Sequence, residues 1–255
     1  MSQALKDNLG FVGICLAIFA GLFLLALAYE RLAMKNRRKL SSTHYMTYTA
    51  IFSCLAGVLM LMEIPLFFAP SFYKADLSEI PVLICTFYLG PVAGVTCELI
   101  KVIVKLVLKG TTTAFVGDFA NFVVGCSFIL PASMIYHARK SRKTALVGML
   151  VGTVVMTVFG SLFNAVYLLP KFSQLYGIPL DAIVGMGTSV NSAINSVSTL
   201  VLFAVVPFNL LKGAVDSVLT FILYKHISPI LHKGDNKRLE HHGSKDSVPA
   251  TQQTK

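Results

Sequence analysis

Apolar residues run through this chain in long blocks, separated by short polar or charged stretches. The blocks at 9–29, 46–69, 115–136, 145–169 and 207–231 each predict a helix long enough to cross a bilayer, because ~20 apolar residues span the ~30 Å hydrocarbon core. A further apolar run covers 79–109 and is interrupted by Gly90-Pro91. As one helix it would be about 46 Å long at 1.5 Å per residue, too long without strong tilt. Split at Gly90-Pro91 it predicts two shorter helices, 79–90 and 91–109. The first of these, about 18 Å long, is expected to be shielded by protein rather than by lipid.

The basic residues choose between these readings. Lys and Arg concentrate in cytoplasmic loops. Here they cluster at Arg31–Lys39, at Arg139–Lys143, and at Lys225, Lys233, Lys237 and Arg238. If all three clusters lie inside, an even number of crossings separates each from the next. The split at Gly90-Pro91 supplies that number and the unsplit run does not. The expectation is an all-α integral membrane fold: a compact six-helix core plus one extra N-terminal transmembrane helix. The N-terminus is placed outside and the C-terminus in the cytoplasm. The segments 72–81, 109–117 and 170–206 then fall outside. Residues 181–206, apolar but rich in Gly, Ser, Thr and Asn, fit either an outer helix or a lead-in to the last span.

Three regions follow: 1–40 as the N-terminal helix with its basic cytoplasmic linker, 41–232 as the core, and 233–255 as a polar, disordered cytoplasmic tail. Ala26-Leu27-Ala28 resembles a signal-peptide cleavage site. Cleavage there would leave the basic block Arg31–Lys39 at the head of the mature chain. Only Lys6, offset by Asp7, precedes the apolar run. An uncleaved helix is expected.

Composition agrees. Of 255 residues, 55% are hydrophobic and 13% charged, about half the charge of an average soluble domain. The net charge of +10 is accounted for by the loop clusters and does not call for nucleic acid. Five cysteines sit in apolar runs with no C-x-x-C pair, which favours small buried side chains over disulfides or metal ligands.

Enzymatic chemistry finds little support. The sequence has no Gly-Lys dipeptide, hence no Walker A loop, and no H-E-x-x-H. Intramembrane polar groups remain, and such groups are costly and often functional. Asn164 lies in the 145–169 block; Asn209 and Lys212 share a face of the last helix. An Asn amide presents a donor and an acceptor side by side, and Lys adds donors. That suits a flat heterocycle with an imide edge. Interhelical hydrogen bonding by Asn164 and snorkelling by Lys212 fit the spacing equally.

Glu98, Lys101 and Lys105 also share a face. Glu98 and Lys101 are expected to pair, and Lys105 to reach outward; contact with a partner is the alternative. Asp118 and Asn121 open the 115–136 helix, where Asp118 suits the helix dipole. Small residues at i, i+4 (Ala50/Cys54, Ser53/Gly57, Gly148/Gly152) allow close helix contact. Every Arg lies on the expected inner side, so the outer face has no Arg clamp for an anion. An uncharged ligand fits better.

Several motifs in order carry a resemblance. Lys74-Ala75-Asp76-Leu77-Ser78-Glu79-Ile80-Pro81-Val82-Leu83 is similar to a K-x-D-F-S-E-I-P-V-L segment, and Leu89-Gly90-Pro91-Val92-Ala93-Gly94-Val95 to an F-G-P-x-A-G-V turn. Gly117-Asp118-Phe119-Ala120-Asn121-Phe122 resembles G-E-x-A-N-F. Leu130-Pro131-Ala132, Tyr136, Asn164 before Leu168-Leu169-Pro170, and Pro207-Phe208-Asn209-Leu210-Leu211-Lys212 complete the series. Over about 45–230 the chain resembles the riboflavin-binding S components of energy-coupling factor (ECF) transporters, the RibU family.

The resemblance implies six core helices and an outward-facing riboflavin site, with 72–81 as its lid and side wall. It implies that Asn164, Asn209 and Lys212 hydrogen-bond the isoalloxazine, and that Asp76, Leu77 and the flanking aromatics border it. It implies no cofactor beyond the transported riboflavin. The partners it implies are a transmembrane coupling subunit and two cytoplasmic ATPase subunits in a bacterial cell membrane. Family docking uses small residues on the first core helix, so Ala50/Cys54 or Ser53/Gly57 are the docking candidates; Cys54 departs from the usual Ala. The extra helix 9–29 departs from the minimal six-helix pattern. An S component or stand-alone transporter for another small uncharged vitamin-like solute is the alternative, and a membrane enzyme acting on lipid is disfavoured by the lack of a metal-binding carboxylate set.

Overall fold

The computed structural model describes residues 3–34, 42–70, 72–111 and 115–243. The basic run 35–39, the tip of the loop at 112–114 and the tail from 244 onward lie outside the described residues. The fold is all-α with one small hairpin. Helix α1 covers Gln3–Ala33 and α2 covers Ser42–Leu59. The chain then leaves the helix, ten residues short of the 46–69 expectation. Pro65 cannot donate to a continuing helix, and Ile64–Pro65 (β1) instead pairs antiparallel with Lys74–Ala75 (β2).

Helices α3 (Glu79–Leu89) and α4 (Pro91–Lys109) are separated by Gly90, as the sequence predicts. Gly90 has φ 108°, a conformation that a side chain would strain, and Pro91 opens α4, where its missing N–H costs nothing. Every residue of α3 is buried. The short helix is therefore sheathed by protein, the condition under which a sub-span helix is tolerated at membrane depth.

Helix α5 runs Val116–Ala138 and α6 Arg142–Phe163. Gly148 and Gly152 let the two backbones meet: a Cβ on either would lie within 2.6 Å of a carbonyl oxygen of α5, that of Ala132 or Phe128. At Asn164 the helix widens to a π turn through Leu168, and the Leu169 N–H bonds back to the Asn164 carbonyl. Short helices α7 (Leu169–Tyr176), α8 (Leu180–Thr188) and α9 (Val197–Leu200) follow, then a second π turn, Val201–Val205, leading into α10 (Val206–Gly243). Each π turn sits just ahead of a proline, Pro170 or Pro207. Because Pro lacks the N–H for an i→i−4 bond, a locally wider turn is the relaxed solution. The stretch 181–206 thus contains a separate short helix, α8, followed by a lead-in to the last span.

Helix α10 continues to Gly243, so 233–243, expected to belong to a disordered tail, is helical. Extending an existing helix avoids the nucleation cost that would keep an isolated polar segment unfolded.

Among the described residues, Gly13–Ala33, Val116–Ala138, Arg142–Gln174 and Val197–Ile227 are long and apolar enough to cross a membrane. Helices α2, α3 and α4 complete the six-helix core with α5, α6 and α10. One apolar cluster fills the end of the core around Leu83, Phe87, Phe128, Met149 and Tyr136. A second joins the 66–75 loop to α7–α10 around Tyr73, Leu169, Ile194, Leu200 and Phe208. Helix α1 packs on α4 and α5, inserting Phe19, Phe23 and the buried Ala26 among Val95, Val102, Phe122 and Cys126.

Candidate functional site

Between the two large apolar clusters lie two adjoining cavities. The outer one has a volume of about 450 Å³ and the deeper one about 140 Å³; Phe72, Lys74, Gly117, Asn121 and Phe172 line both. Their walls are largely aromatic and aliphatic. Phe72 and Tyr73 lie 4.6 Å apart between ring centroids, Tyr73 and Phe208 5.6 Å, and Phe72 and Phe172 6.4 Å. The size and apolar character suit a small organic ligand.

The deeper cavity is made by helix geometry. On α5, Gly117, Asn121 and Gly125 recur at i, i+4, i+8, so one face offers two positions without side chains and one amide between them. The π turn brings Asn164 into the opposite wall. Its Oδ1 accepts from the Tyr73 hydroxyl at 2.8 Å and its Nδ2 donates to the Gly160 carbonyl at 2.8 Å. Asn164 thereby fixes Tyr73, and with it the aromatic loop.

The floor is a line of alternating charge. Asp76 Oδ2 meets Lys212 Nζ at 3.1 Å; Lys212 lies 3.9 Å from Glu79 Oε1; Glu79 Oε1 meets Lys101 Nζ at 2.8 Å; Lys101 meets Glu98 Oε2 at 2.6 Å. Asp76, Glu79, Lys101 and Glu98 are buried, and the Lys212 side chain is only 10% exposed. The line ties the loop to α10, α3 and α4. Asp76 Oδ1 also accepts from the backbone N–H and hydroxyl of Ser78. Burial alone would raise the Asp76 carboxyl; the Lys212 and Lys101 charges and the Ser78 hydrogen bonds outweigh it and hold it at about 2. Nearer the entrance, Glu63 bridges Lys74 at 2.5 Å and Lys109 at 2.9 Å.

Among the described residues lining the deeper cavity, Asn209 Nδ2 and Asn121 Oδ1 have no hydrogen-bond partner, whereas Glu79 is hydrogen-bonded to Lys101 and Glu98. Buried polar groups are nearly always satisfied. One unpaired donor and one unpaired acceptor beside an aromatic-walled slot make a ready recognition set.

The family model of the ECF transporter substrate-specific component matches residues 44–224. The chain belongs to this family. It is 30% identical over 202 residues to the riboflavin transporter RibU of Staphylococcus aureus, covering 78% of this chain and 100% of that protein. It is 32% identical over 181 residues to the riboflavin transporter FmnP of Bacillus subtilis, covering 71% of this chain and 90% of that one. A solved S component of a bacterial ECF transporter superposes with a TM-score of 0.59 at 32% identity, over 75% of this chain and 99% of that structure.

Of the residues expected at the site of this S component, Asn164, Asn209 and Lys212 line the deeper cavity and Asp76 the outer one. Leu77 lines neither; it packs against the apolar cluster around α3. The sequence reading did not place Asn121 or Glu79 in the site. Asn121 could have been found from the i, i+4 spacing to Gly117 and Gly125. Glu79 could have been found as the one charged residue opening an otherwise mostly apolar helix. The expected Glu98–Lys101 pair forms, but Lys105 does not reach outward past Lys109: it pairs with Asp118 at 2.6 Å, pinning α4 to the start of α5. Asp118 makes that bridge in place of a helix cap.

The docking candidates divide cleanly. Ser53 and Gly57 are buried, and a Cβ on Gly57 would lie 2.5 Å from Val104 Cγ1. They form the α2–α4 contact and are closed to a partner. Ala50 and Cys54 are exposed, in a stripe with Ile51, Leu55 and Val58.

Proposed function

We propose that this S component captures riboflavin at high affinity from outside a bacterial cell and delivers it as the substrate-binding subunit of an ATP-driven ECF transporter. The observation that carries the reading is the set of unpaired polar atoms in an aromatic-walled cavity, in a chain whose relatives are named riboflavin transporters. Isoalloxazine is flat, neutral and apolar along one edge, with an imide at the other. An imide carbonyl needs a donor, which Asn209 Nδ2 and Lys212 supply; the imide N–H needs an acceptor, which Asn121 Oδ1 supplies. Phe72, Tyr73, Phe172 and Phe208 give the ring system its stacking surfaces.

The loop 60–78 forms the lid. Its aromatic residues roof the deeper cavity, and it is latched by Asp76 to α10 and by Glu63 to α4. The Arg139–Lys143 cluster between α5 and α6 supports an inward position for that end of the bundle, hence a cytoplasmic C-terminus and an outer N-terminus. The partners are a transmembrane coupling subunit and two cytoplasmic ATPase subunits. The exposed Ala50/Cys54 stripe of α2 is the docking face for the coupling subunit, because small residues admit a partner helix closely.

The test is an absorbance spectrum of the detergent-purified chain, followed by riboflavin titration read by flavin fluorescence. The chain has no Trp, so the flavin signal is not overlaid by indole emission. Stoichiometric yellow colour, or saturable quenching at submicromolar ligand, is expected. A colourless protein that leaves flavin fluorescence unchanged would overturn riboflavin as the ligand.

A further inference from the structure

A third cavity, of about 230 Å³, lies at the opposite end of the bundle from the lid, lined by Tyr136, Lys140, Ser141, Arg142, Ala145, Phe221, Tyr224 and Lys225. It sits where three membrane-spanning segments end or begin: Val116–Ala138 closes beside it, Arg142–Gln174 opens beside it, and Val197–Ile227 passes its last turn there. We infer that this cavity binds the phosphate-bearing headgroup of an anionic phospholipid.

Charge is the first argument. Among the described residues the lining holds Lys140, Arg142 and Lys225 and no carboxylate. There is no Asp or Glu anywhere between Asp118 and Asp181, nor between Asp216 and Asp235. In the other half of the bundle the rule is reversed: Lys74, Lys101, Lys105, Lys109 and Lys212 each pair with a carboxylate. No described carboxylate pairs with Arg142 or Lys225. A concave site presenting Arg142 and Lys225 with no described carboxylate beside them concentrates positive potential where an anion can enter.

The walls supply the second argument. Tyr136 and Tyr224 join hydroxyls at 2.9 Å, and between them they still offer one donor hydrogen and free lone pairs. The Phe87, Tyr136 and Tyr224 rings pack together, with Phe87–Tyr136 centroids 4.8 Å apart. Phe221 and Ala145 complete an apolar side to the cavity. A free inorganic anion has no use for such a wall. A phospholipid does: phosphate against the cations, glycerol and the first acyl carbons against the rings. Aromatic and basic residues at a membrane boundary are the composition that headgroup sites take. Arg142 adds a planar fork of donors matched to phosphate oxygens.

The test uses the full chain in detergent. Thermal midpoints are measured with added phosphatidylglycerol, with the same amount of phosphatidylcholine, and with inorganic phosphate. The wild type is compared with the double variant Arg142→Gln/Lys225→Gln, whose riboflavin titration serves as the check that the fold is intact. Phosphatidylglycerol should raise the wild-type midpoint more than phosphatidylcholine does, and the double variant should bind it roughly thirtyfold more weakly, as native mass spectrometry of retained lipid reads directly. Equal retention by wild type and variant, or equal response to the two lipids, would overturn the site. An inorganic-phosphate shift as large as that of phosphatidylglycerol would overturn the lipid and leave a soluble anion as the source.

Discussion

Lys212 on the last core helix and Asp76 on the loop above the cavity meet at 3.1 Å although 136 positions separate them in the chain. The contact is the point at which lid and floor become one structure. Lys212 is the ion-pair partner of Asp76 and lies 3.9 Å from Glu79, which keeps Lys101 at 2.8 Å, so removing the Lys212 charge would strand the buried Asp76 carboxylate. Breaking a buried pair from one side costs about 3–5 kcal/mol. Lys212→Ala should therefore lower the thermal midpoint in detergent and weaken riboflavin binding together. The double variant Lys212→Met/Asp76→Leu should recover part of the stability without recovering binding. If Lys212→Ala alone left both readouts unchanged, the latch would have no energetic role.

The same pair predicts a pH dependence. The Asp76 carboxyl is held at about 2, below its ordinary value near 3.9. A depressed carboxyl favours the folded state at pH above the unfolded value, and that stabilisation disappears as pH falls through the folded value. The advantage of wild type over Asp76→Asn should be full above about pH 4 and shrink between about pH 4 and pH 2. Thermal midpoints of both proteins across that window measure it. A constant difference would show that Asp76 carries no proton-linked stability.

Asn209 offers a cleaner probe of the ligand, because its Nδ2 is buried and unpaired. Asn209→Ala removes one hydrogen bond to the ligand without breaking one inside the protein. The loss should be about 0.5–1.5 kcal/mol, or roughly two- to twelvefold in Kd, with little change in stability. Gly160→Ala should act on the same atom from behind. Its Cβ would stand 3.0 Å from Asn209 Nδ2 and displace the amide by a few tenths of an ångström. Fluorescence titration should show both variants weakened and still folded. Full affinity in both would remove Asn209 from the site.

How far the sequence foretold this site depends on what kind of signal each residue carries. Apolar block lengths, Gly90-Pro91 and the basic clusters report directly on spans and on the α3–α4 break, because helix length and backbone sterics are local. Asn164, Asn209 and Lys212 stood out as polar groups in apolar surroundings, and all three reach the deeper cavity. What sequence could not show was pairing at a distance. Lys105 chose Asp118 over solvent, Asn164 took Tyr73 as a partner, and Leu77 turned into the core beside a buried aspartate. Each outcome depends on which helix lies opposite. The early end of α2 did have a local signal, Glu63 and Pro65 inside the run to 69; what only the structure shows is that Ile64–Pro65 pairs with Lys74–Ala75.

The two small-residue pairs on α2 predict opposite phenotypes. Gly57→Leu would drive a side chain into Val104 and the Lys101 carbonyl, which lies 3.3 Å from the Cβ position. Overpacking of that kind typically costs 1–3 kcal/mol or more, so the variant should lose stability and riboflavin binding. Ala50→Leu and Cys54→Leu project from an exposed stripe and should leave both intact. Their effect should appear only in cells, as reduced riboflavin uptake, and in co-purification with the coupling subunit. Normal uptake by both exposed-face variants would place docking elsewhere on the bundle.

The extra helix α1 makes two contacts that bear on the core. Glu30 Oε1 accepts the Val92 backbone N–H at 3.0 Å, and the Tyr29 hydroxyl donates to the Met134 carbonyl at 2.6 Å. Val92 lies in the first turn of α4, directly after the Gly90-Pro91 break, where N–H groups lack helical partners. A carboxylate there satisfies an orphan donor and complements the helix dipole. Glu30 thus acts as a cap supplied by another helix, which lets α3 and α4 part sharply without leaving an unpaired amide in the membrane. Glu30→Ala should cost about 1 kcal/mol, the usual value of a lost N-cap, read as a lower thermal midpoint. Riboflavin affinity should stay near wild type, since no described residue of α1 lines either cavity of the site. Loss of affinity in step with stability would instead mean that the α3–α4 break transmits to Glu79 and Lys101, making α1 part of the binding apparatus.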